Sequence, residues 1–429
     1  MALKYRSIRG TRDILPGQSE KWRYVERVAL ETAATYGIRQ IRIPTIEKTE
    51  LFTRSVGETT DVVQKEMYTF EKGRESITLR PEGTAGTVRA VLENSMLADT
   101  LPLKLSYIVS CFRHDNPQAG RYREFTQFGI ECFGNSLPTA DAEVIGVAYD
   151  ILSRLGLSDV SLEINSIGCP KCRPSYNQAL KAYYENRTDK LCKTCLERLE
   201  RNPLRLLDCK EEGCQALAAQ APKSTDYLCE ECDDHFEGLK KRLDAMGFVY
   251  RVNPFIVRGL DYYTKTVFEF ISDKIGAQAT VCGGGRYDGL VEELGGPHTP
   301  ALGFGMGLDR ILLVMENSGC QFPAPPICDL YIGSMGEEEN IKALTLATHL
   351  RREGFTVLCD TVGRSVKAQM RYADKQSSAH SCIIGSNELG QGKATVKRMA
   401  DGNQTEVALT AEAMSQYLYA EKAEEIAEA

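Results

Sequence analysis

The chain has 429 residues, 42% hydrophobic and 26% charged, an average globular composition that excludes a wholly disordered or collagen-like polymer. Its formal net charge is −7, from 59 acidic and 52 basic residues, so any nucleic-acid binding must use a local positive patch. No apolar run reaches the ~18 residues needed to span a bilayer, and the opening MALKYRSIRG has no apolar export region, so a cytoplasmic location without membrane contact is expected.

From Gly17 to Tyr36, the residues Trp22, Val25, Val28, Ala29, Ala33 and Tyr36 recur at spacings of three and four, which predicts one amphipathic helix. Gly37 is its expected C-terminal cap. IRQIRIP then reads as a short strand with Ile41 and Ile43 on one face, closed by Pro44. Residues 102 to 134 read as an antiparallel hairpin, with turn signals at Asn116-Pro117 and Gly120. Because strand residues alternate, Arg123, Phe125, Gln127 and Glu131 share one face, while Phe128, Ile130 and Cys132 take the other.

Residues 165–235 are cysteine-rich and charged, with helix-like stretches between the cysteines, and read as an inserted subdomain. VYRVNPFIVRGLDYYTKTVFEFI reads as strand. The glycine-dense CGGGRYDG follows, and GFGMGLDRILLVMEN reads as a glycine turn entering a helix. Glycines at 303, 305 and 307 miss the GxGxxG spacing of a dinucleotide loop, and there is no GxxxxGK[ST]. QFPAPPICD is a linker, and beyond it strands alternate with helices, which predicts a small α/β domain with a partly parallel sheet. AEKAEEIAEA reads as a frayed helix end.

Several polar residues compete between binding and structural roles. Arg113, at a strand end before a basic turn, suits a phosphate or a surface ion pair. Gln127 and Glu131 on an inward face require a partner, since an unpaired buried carboxylate is costly; an imidazole or amine ligand and an internal arginine both serve. Glu82 and Thr84 around Gly83 would suit an ammonium group, and Thr84 would also suit a helix cap. Arg258, Gly259, Asp261, Tyr262 and Tyr263 fall within six residues, an expense a plain strand rarely carries.

Eight of the fifteen cysteines form C-x2-C at Cys169/Cys172 and Cys192/Cys195, C-x4-C at Cys209/Cys214 and C-x2-C at Cys229/Cys232. Without an export signal, thiols stay reduced and a disulfide framework is disfavoured. The inner two pairs fit a structural zinc tetrathiolate, and the outer two would close a second Zn2+ site around it; free thiols are the alternative.

Together these strings closely resemble class II aminoacyl-tRNA synthetases, and within them the histidyl-tRNA synthetase family. IRIPTIE resembles the end of class II motif 1, CFRHDNPQAGRYREFTQFGIE motif 2 and GFGMGLDRILL motif 3. IVRGLDYYTKTVFEF and CGGGRYDGLVEELGGPHTPALGFG resemble the two signatures peculiar to the histidine enzymes. The resemblance covers nearly the whole chain.

It implies an α+β fold: an antiparallel-sheet class II catalytic domain over residues 1–325, interrupted by the 165–235 insertion, and an α/β anticodon-binding domain over 326–429. It implies a homodimer that activates L-histidine with ATP and Mg2+ and transfers it to the 3′ end of tRNA(His). Glu82, Gly83, Thr84, Gln127, Glu131, Tyr262, Tyr263 and Tyr287 would bind histidine. Arg113, Asp115, Arg121, Phe125 and Arg310 would bind ATP, with Arg258 and Arg113 as the catalytic cations, and Gln118 and Arg123 would meet the tRNA acceptor end. Asp115 and Asn116 stand where the family more often has glutamate and arginine, and Asp309 where glutamate is usual. A histidine-sensing regulatory subunit of ATP phosphoribosyltransferase shares this fold, but such paralogues lack the Arg258 signature and the C-terminal domain. A zinc-organised nucleic-acid binder leaves Glu82, Gln127 and Glu131 unexplained.

Overall fold

The structure, a computed structural model, describes residues 4–57, 60, 62–209, 211–276, 279–323 and 328–428. The chain divides into two compact units, Met1–Phe322 and Pro323–Ala429. No helix among the described residues is long and apolar enough to cross a membrane.

The larger unit is an α+β domain built on an eight-stranded sheet. In spatial order its strands are Arg39–Gln40, Leu103–Phe112, Glu124–Phe133, Ala301–Gly307, Thr280–Arg286, Thr264–Ile271, Ser161–Ser166 and Tyr250–Val252. Only the two edge pairings are parallel. The hairpin forms as expected, in register from Leu103 opposite Phe133 to Phe112 opposite Glu124. Phe128, Ile130 and Cys132 enter the main core together with Val25, Val28, Ala29 and Ala33 of the helix Ser19–Thr35. Gly37 takes a positive φ of 69° after that helix, as a C-terminal cap requires.

Four expectations are corrected. The strand after the first helix covers only Arg39–Gln40, because the carbonyls of Ile43 and Pro44 accept hydrogen bonds from Arg80 Nη1 at 2.7 and 2.9 Å instead of from a ladder. The glycines at 303, 305 and 307 lie in the strand Ala301–Gly307, which passes directly into the helix Leu308–Asn317 with no turn between them. The glycine-dense CGGGR is likewise a strand, Thr280–Arg286. The stretch 253–263 is irregular, since its carbonyls are taken by side chains, among them Ile256 O by Asn165 Nδ2 at 3.0 Å.

The cysteine-rich segment opens inside the strand Ser161–Ser166 and contains the helices Arg173–Glu185, Lys193–Arg201 and Glu212–Ala218. It has a small core of its own, including Tyr176, Leu180, Tyr184, Leu199 and Leu206. The helix Glu230–Ala245 leaves it and buries Phe236, Leu239 and Leu243 in the main core.

The smaller unit is a five-stranded sheet in the order Val357–Cys359, Leu330–Ser334, His380–Ile384, Lys393–Arg398, Gln404–Ala408. The first three strands are parallel and the last pairings antiparallel, as the alternation suggested. The linker residues 324–327 and Ala429 of the terminal stretch lie outside the described residues.

Candidate active site

The alternation of Glu124–Phe133 drives the site. With Phe128, Ile130 and Cys132 in the core, Gln127 and Glu131 must face the opposite side of the sheet. Room for them comes from the neighbouring strands. A Cβ on Gly303 would collide with Glu131 Oε2, one on Gly305 with Gln127 Nε2, and one on Gly283 with the Arg258 guanidinium. Glycine is therefore spent where polar side chains lie flat on the sheet.

Glu131 is fully buried and caged by hydroxyls: Thr84 Oγ1 donates at 2.7 Å, Tyr107 OH at 3.0 Å, and Tyr287 OH donates to its other oxygen. Burial pushes its carboxyl up to about 8, against the lowering effect of these donors. Hydroxyls thus stand where an internal arginine was the alternative to a ligand; among the described residues no arginine hydrogen-bonds to Glu131. Glu82, also buried and pushed upward by burial, accepts from the backbone N–H groups of Thr84 and Ala85 at 2.6 and 2.9 Å. The helix Thr84–Glu93 has Gly83 at its N-cap, and the Glu82 carboxylate satisfies its first two N–H groups, so Thr84 Oγ1 serves Glu131. The rings of Tyr262 and Tyr263 lie 4.6 Å apart and those of Tyr262 and Tyr287 5.5 Å apart, which closes this cluster with tyrosines.

Gln127 connects the cluster to open space: its Oε1 accepts from Gly83 N at 3.2 Å, and its side chain lines a cavity of about 300 Å³. Arg113, Arg121, Arg258 and Arg310 line the same cavity, with Asp115, Phe125 and Glu269. Arg113 Nε donates to Pro81 O at 2.9 Å and its guanidinium packs 5.4 Å from the Phe125 ring centre. Arg310 donates to Thr280 O at 2.6 Å and Gly120 O at 3.2 Å. Burial, then repulsion from Arg121 and Arg113, pushes Arg310 down to about 10. The arginines share this lining with the carboxylates of Asp115, Asp208, Glu269 and Asp309, and the repulsion of Arg310 by Arg121 and Arg113 is what an anion would relieve.

The structure brings most of the expected residues together, in two layers. Asp115 pairs with Arg121 at the cavity wall. Asp309 accepts from Arg12 Nη2 at 2.8 Å and Thr126 N at 2.9 Å, so the shorter acid is fully engaged. Glu82, Gly83, Thr84, Glu131 and the three tyrosines lie behind Gln127, outside the cavity's lining. Gln118 and Arg123 also lie outside it; Gln118 is exposed in the turn it shares with Arg121.

Three contributors escaped the sequence reading. Glu269 pairs with Arg258 and, against the effect of burial, holds that guanidinium cationic. Thr280 Oγ1 donates to Glu269 at 2.8 Å. Tyr107 supports Glu131 from the paired strand. Glu269 is the one acid among the apolar residues of VFEFI, which was the available signal.

The cysteines form two quartets, Cys169, Cys172, Cys229, Cys232 and Cys192, Cys195, Cys209, Cys214, the nesting expected from their spacing. All are free thiols. The Sγ–Sγ separations Cys169–Cys172, Cys169–Cys229, Cys172–Cys232 and Cys192–Cys209 are each 3.8 Å. A tetrahedron of sulfurs ~2.3 Å from a central zinc has edges of about 3.8 Å. Backbone N–H groups of Cys169, Lys171, Cys192 and Cys195 point at sulfurs at 3.2 to 3.4 Å, as suits thiolate ligands. The donor set and its dimensions fit zinc in both quartets.

Comparison with known proteins agrees in both units. A family profile described as histidyl-tRNA synthetase matches residues 10–311, and one described as an anticodon binding domain matches 329–415. A histidine–tRNA ligase of Acetivibrio thermocellus is 52% identical over 402 residues, covering 94% of this chain and 96% of its own. One from Clostridium perfringens is 53% identical over 403 residues, with the same coverages. The crystal structure of apo S. aureus histidyl-tRNA synthetase superposes with a TM-score of 0.82 at 38% identity, over 96% of this chain and 99% of that one.

Proposed function

This chain belongs to the histidyl-tRNA synthetase family and is a ligase that joins histidine to tRNA; within that activity we propose the following division of labour. Gln127, Glu131, Tyr263 and Tyr287 read the imidazole, while Glu82 and Thr84, with Gly83 and Tyr262 beside them, receive the α-ammonium group. The entering ring takes over hydroxyl contacts that Glu131 now makes internally. Arg113, Arg121 and Arg310, with Asp115 and Phe125, hold ATP as its Mg2+ complex. Arg258, steadied by Glu269, bridges the histidine carboxylate and the α-phosphate. Gln118 and Arg123 face the acceptor end of tRNA(His).

The histidine carboxylate attacks the α-phosphorus in line, pyrophosphate leaves, and the terminal ribose hydroxyl of the tRNA then attacks the activated carbonyl. No side chain forms a covalent bond. Positioning and charge neutralisation supply the rate, and arginines suit this because they stay cationic and bind two oxygens at once. A site that pairs both imidazole nitrogens rejects other side chains by leaving buried polar groups unmatched, worth ~10⁴-fold or more.

The observation that carries this reading is one cavity lined by Gln127 together with Arg113, Arg121, Arg258 and Arg310. The test is ATP–pyrophosphate exchange with each of the twenty amino acids: histidine alone should support it, and exchange with none would favour a histidine-sensing paralogue. We further propose residues 1–325 as catalytic core with the 165–235 insertion, 326–429 as anticodon-binding domain, a homodimer, and a cytoplasmic location, in keeping with the free thiols. Each quartet would hold one structural Zn2+. Metal analysis of protein purified without chelators should give two zinc per chain, one for each quartet; a value near zero would contradict this.

A further inference from the structure

The Arg258–Tyr263 segment has little regular structure, yet it carries the cation that must meet both substrates. Its anchors come from the cysteine-rich insertion. Arg205 Nη1 donates to Arg258 O at 2.8 Å, and Asn202 Nδ2 donates to Asp261 Oδ1 at 3.0 Å. Both residues lie in the segment between Cys195 and Cys209 of one quartet, just after the helix Lys193–Arg201. At the other end, Arg173 Nη2 donates to Tyr263 O at 2.6 Å and to Gly168 O at 3.1 Å. Arg173 follows Cys172, and Gly168 precedes Cys169, of the other quartet. The next residues extend the tie: Lys265 N donates to Gly168 O at 2.9 Å and Thr264 Oγ1 to the same oxygen at 3.2 Å.

We propose that the two metal-bound quartets are the clamps of the Arg258–Tyr263 segment, acting through Arg205 and Asn202 at one end and Arg173 at the other. The proposal rests on the placement of Arg258 at the reacting groups and of zinc in the quartets, as given above. Arg205, Asn202 and Arg173 are positioning residues: they reach the segment's backbone and Asp261, and not the cavity contents. Arg205 is 7% exposed and is held in turn, since Arg198 Nη1 donates to its carbonyl at 3.2 Å and Asp208 lies 3.6 Å from its guanidinium. Loss of the metal from the Cys192 quartet would free the segment that carries Arg205 and Asn202. A guanidinium displaced by about 1 Å from its reacting position is enough to cost roughly 10²-fold in rate.

The experiment uses the full-length enzyme and pairs metal analysis with histidine-dependent exchange. Arg205→Ala should retain two zinc per chain and lose about 10-fold or more in kcat, with the ATP KM near wild type. Arg205→Lys should restore part of the rate. In an Arg258→Ala background the same change should have no further effect, whereas a merely destabilising change would add its cost. Should Arg205→Ala fail to fold, stripping zinc from the wild-type enzyme with a chelator, removing the chelator and assaying in Mg2+ should show exchange abolished, and added Zn2+ should restore it. Wild-type exchange in zinc-loaded Arg205→Ala, or unaltered exchange after zinc is stripped, would overturn the clamp while leaving the zinc sites intact. Absence of zinc from active wild-type enzyme would overturn the metal reading itself.

Discussion

Gly305→Ala is the sharpest test of how the sheet makes room for substrate recognition. The new Cβ would lie 2.8 Å from Gln127 Cδ and closer still to Nε2, where ordinary contact begins at 3.4 Å. Its nearest neighbours all belong to that one side chain, so the amide, and not the backbone, must yield. Gln127 would move by roughly 1 Å, away from Gly83 N and from the histidine position, which is expected to lower kcat/KM for histidine about 10²-fold, or about 2.7 kcal/mol. Steady-state exchange kinetics with varied histidine would measure it. Stability should change by only about 1–3 kcal/mol, the usual overpacking range. Because both changes act on one group, Gly305→Ala combined with Gln127→Ala should be no worse than the more damaging single variant. Wild-type histidine kinetics in Gly305→Ala would refute the claim that this glycine exists to admit Gln127 to the site.

Arg258→Ala should lower kcat by about 10²-fold or more with a modest change in KM, as for a charge used mainly in the transition state; exchange at the wild-type rate would exclude that role. Glu131 keeps its proton up to about pH 8 in the folded enzyme, so the histidine KM should fall as pH rises through that value, and Glu131→Gln should abolish this dependence; an identical profile in the variant would mean the imidazole is read elsewhere. The same upward shift makes this group's contribution to stability largest below the ordinary carboxyl range, near ~4.3, and progressively lost from there to about pH 8. Arg286 is fully buried against Asp141, with Nη2 donating at 2.6 Å. Arg286→Ala should therefore cost about 3–5 kcal/mol by leaving that carboxylate with only His235 beside it, visible as a Tm lower by about 10 °C; a shift within error would contradict it. Burial alone would raise Asp141, but Arg286 and His235 hold it down to about 2, so the pair should resist acid until the pH falls from the ordinary carboxyl range toward that value.

Much of this was legible in the residues. The hairpin followed from strict alternation between Leu103 and Phe133, which also assigned Gln127 and Glu131 to one face. The nested cysteine spacing announced both quartets, because C-x2-C pairs can close only over short loops. What was not legible lay in contacts made at long range. Glycine normally signals a turn, so Gly303 and Gly305 read as one; their strand conformation depends on Glu131 and Gln127 from a different part of the chain. The strand expected over IRQIRIP stopped at Gln40 because the Arg80 guanidinium, from a distant part of the chain, replaces a strand partner for Ile43 and Pro44. The pairing of Arg258 with Glu269 required the 253–263 segment to leave the sheet and fold back, which no local periodicity encodes.

A crystal structure of the enzyme with histidine and ATP would test the site most directly. The imidazole should lie between Gln127 and Glu131, with the Tyr287 or Tyr107 contact to Glu131 lengthened to admit it, and the phosphates should meet Arg113 and Arg310 with Arg258 at the α-phosphate. An imidazole bound away from Glu131, or phosphates outside the arginine-lined cavity, would contradict the reading of this site.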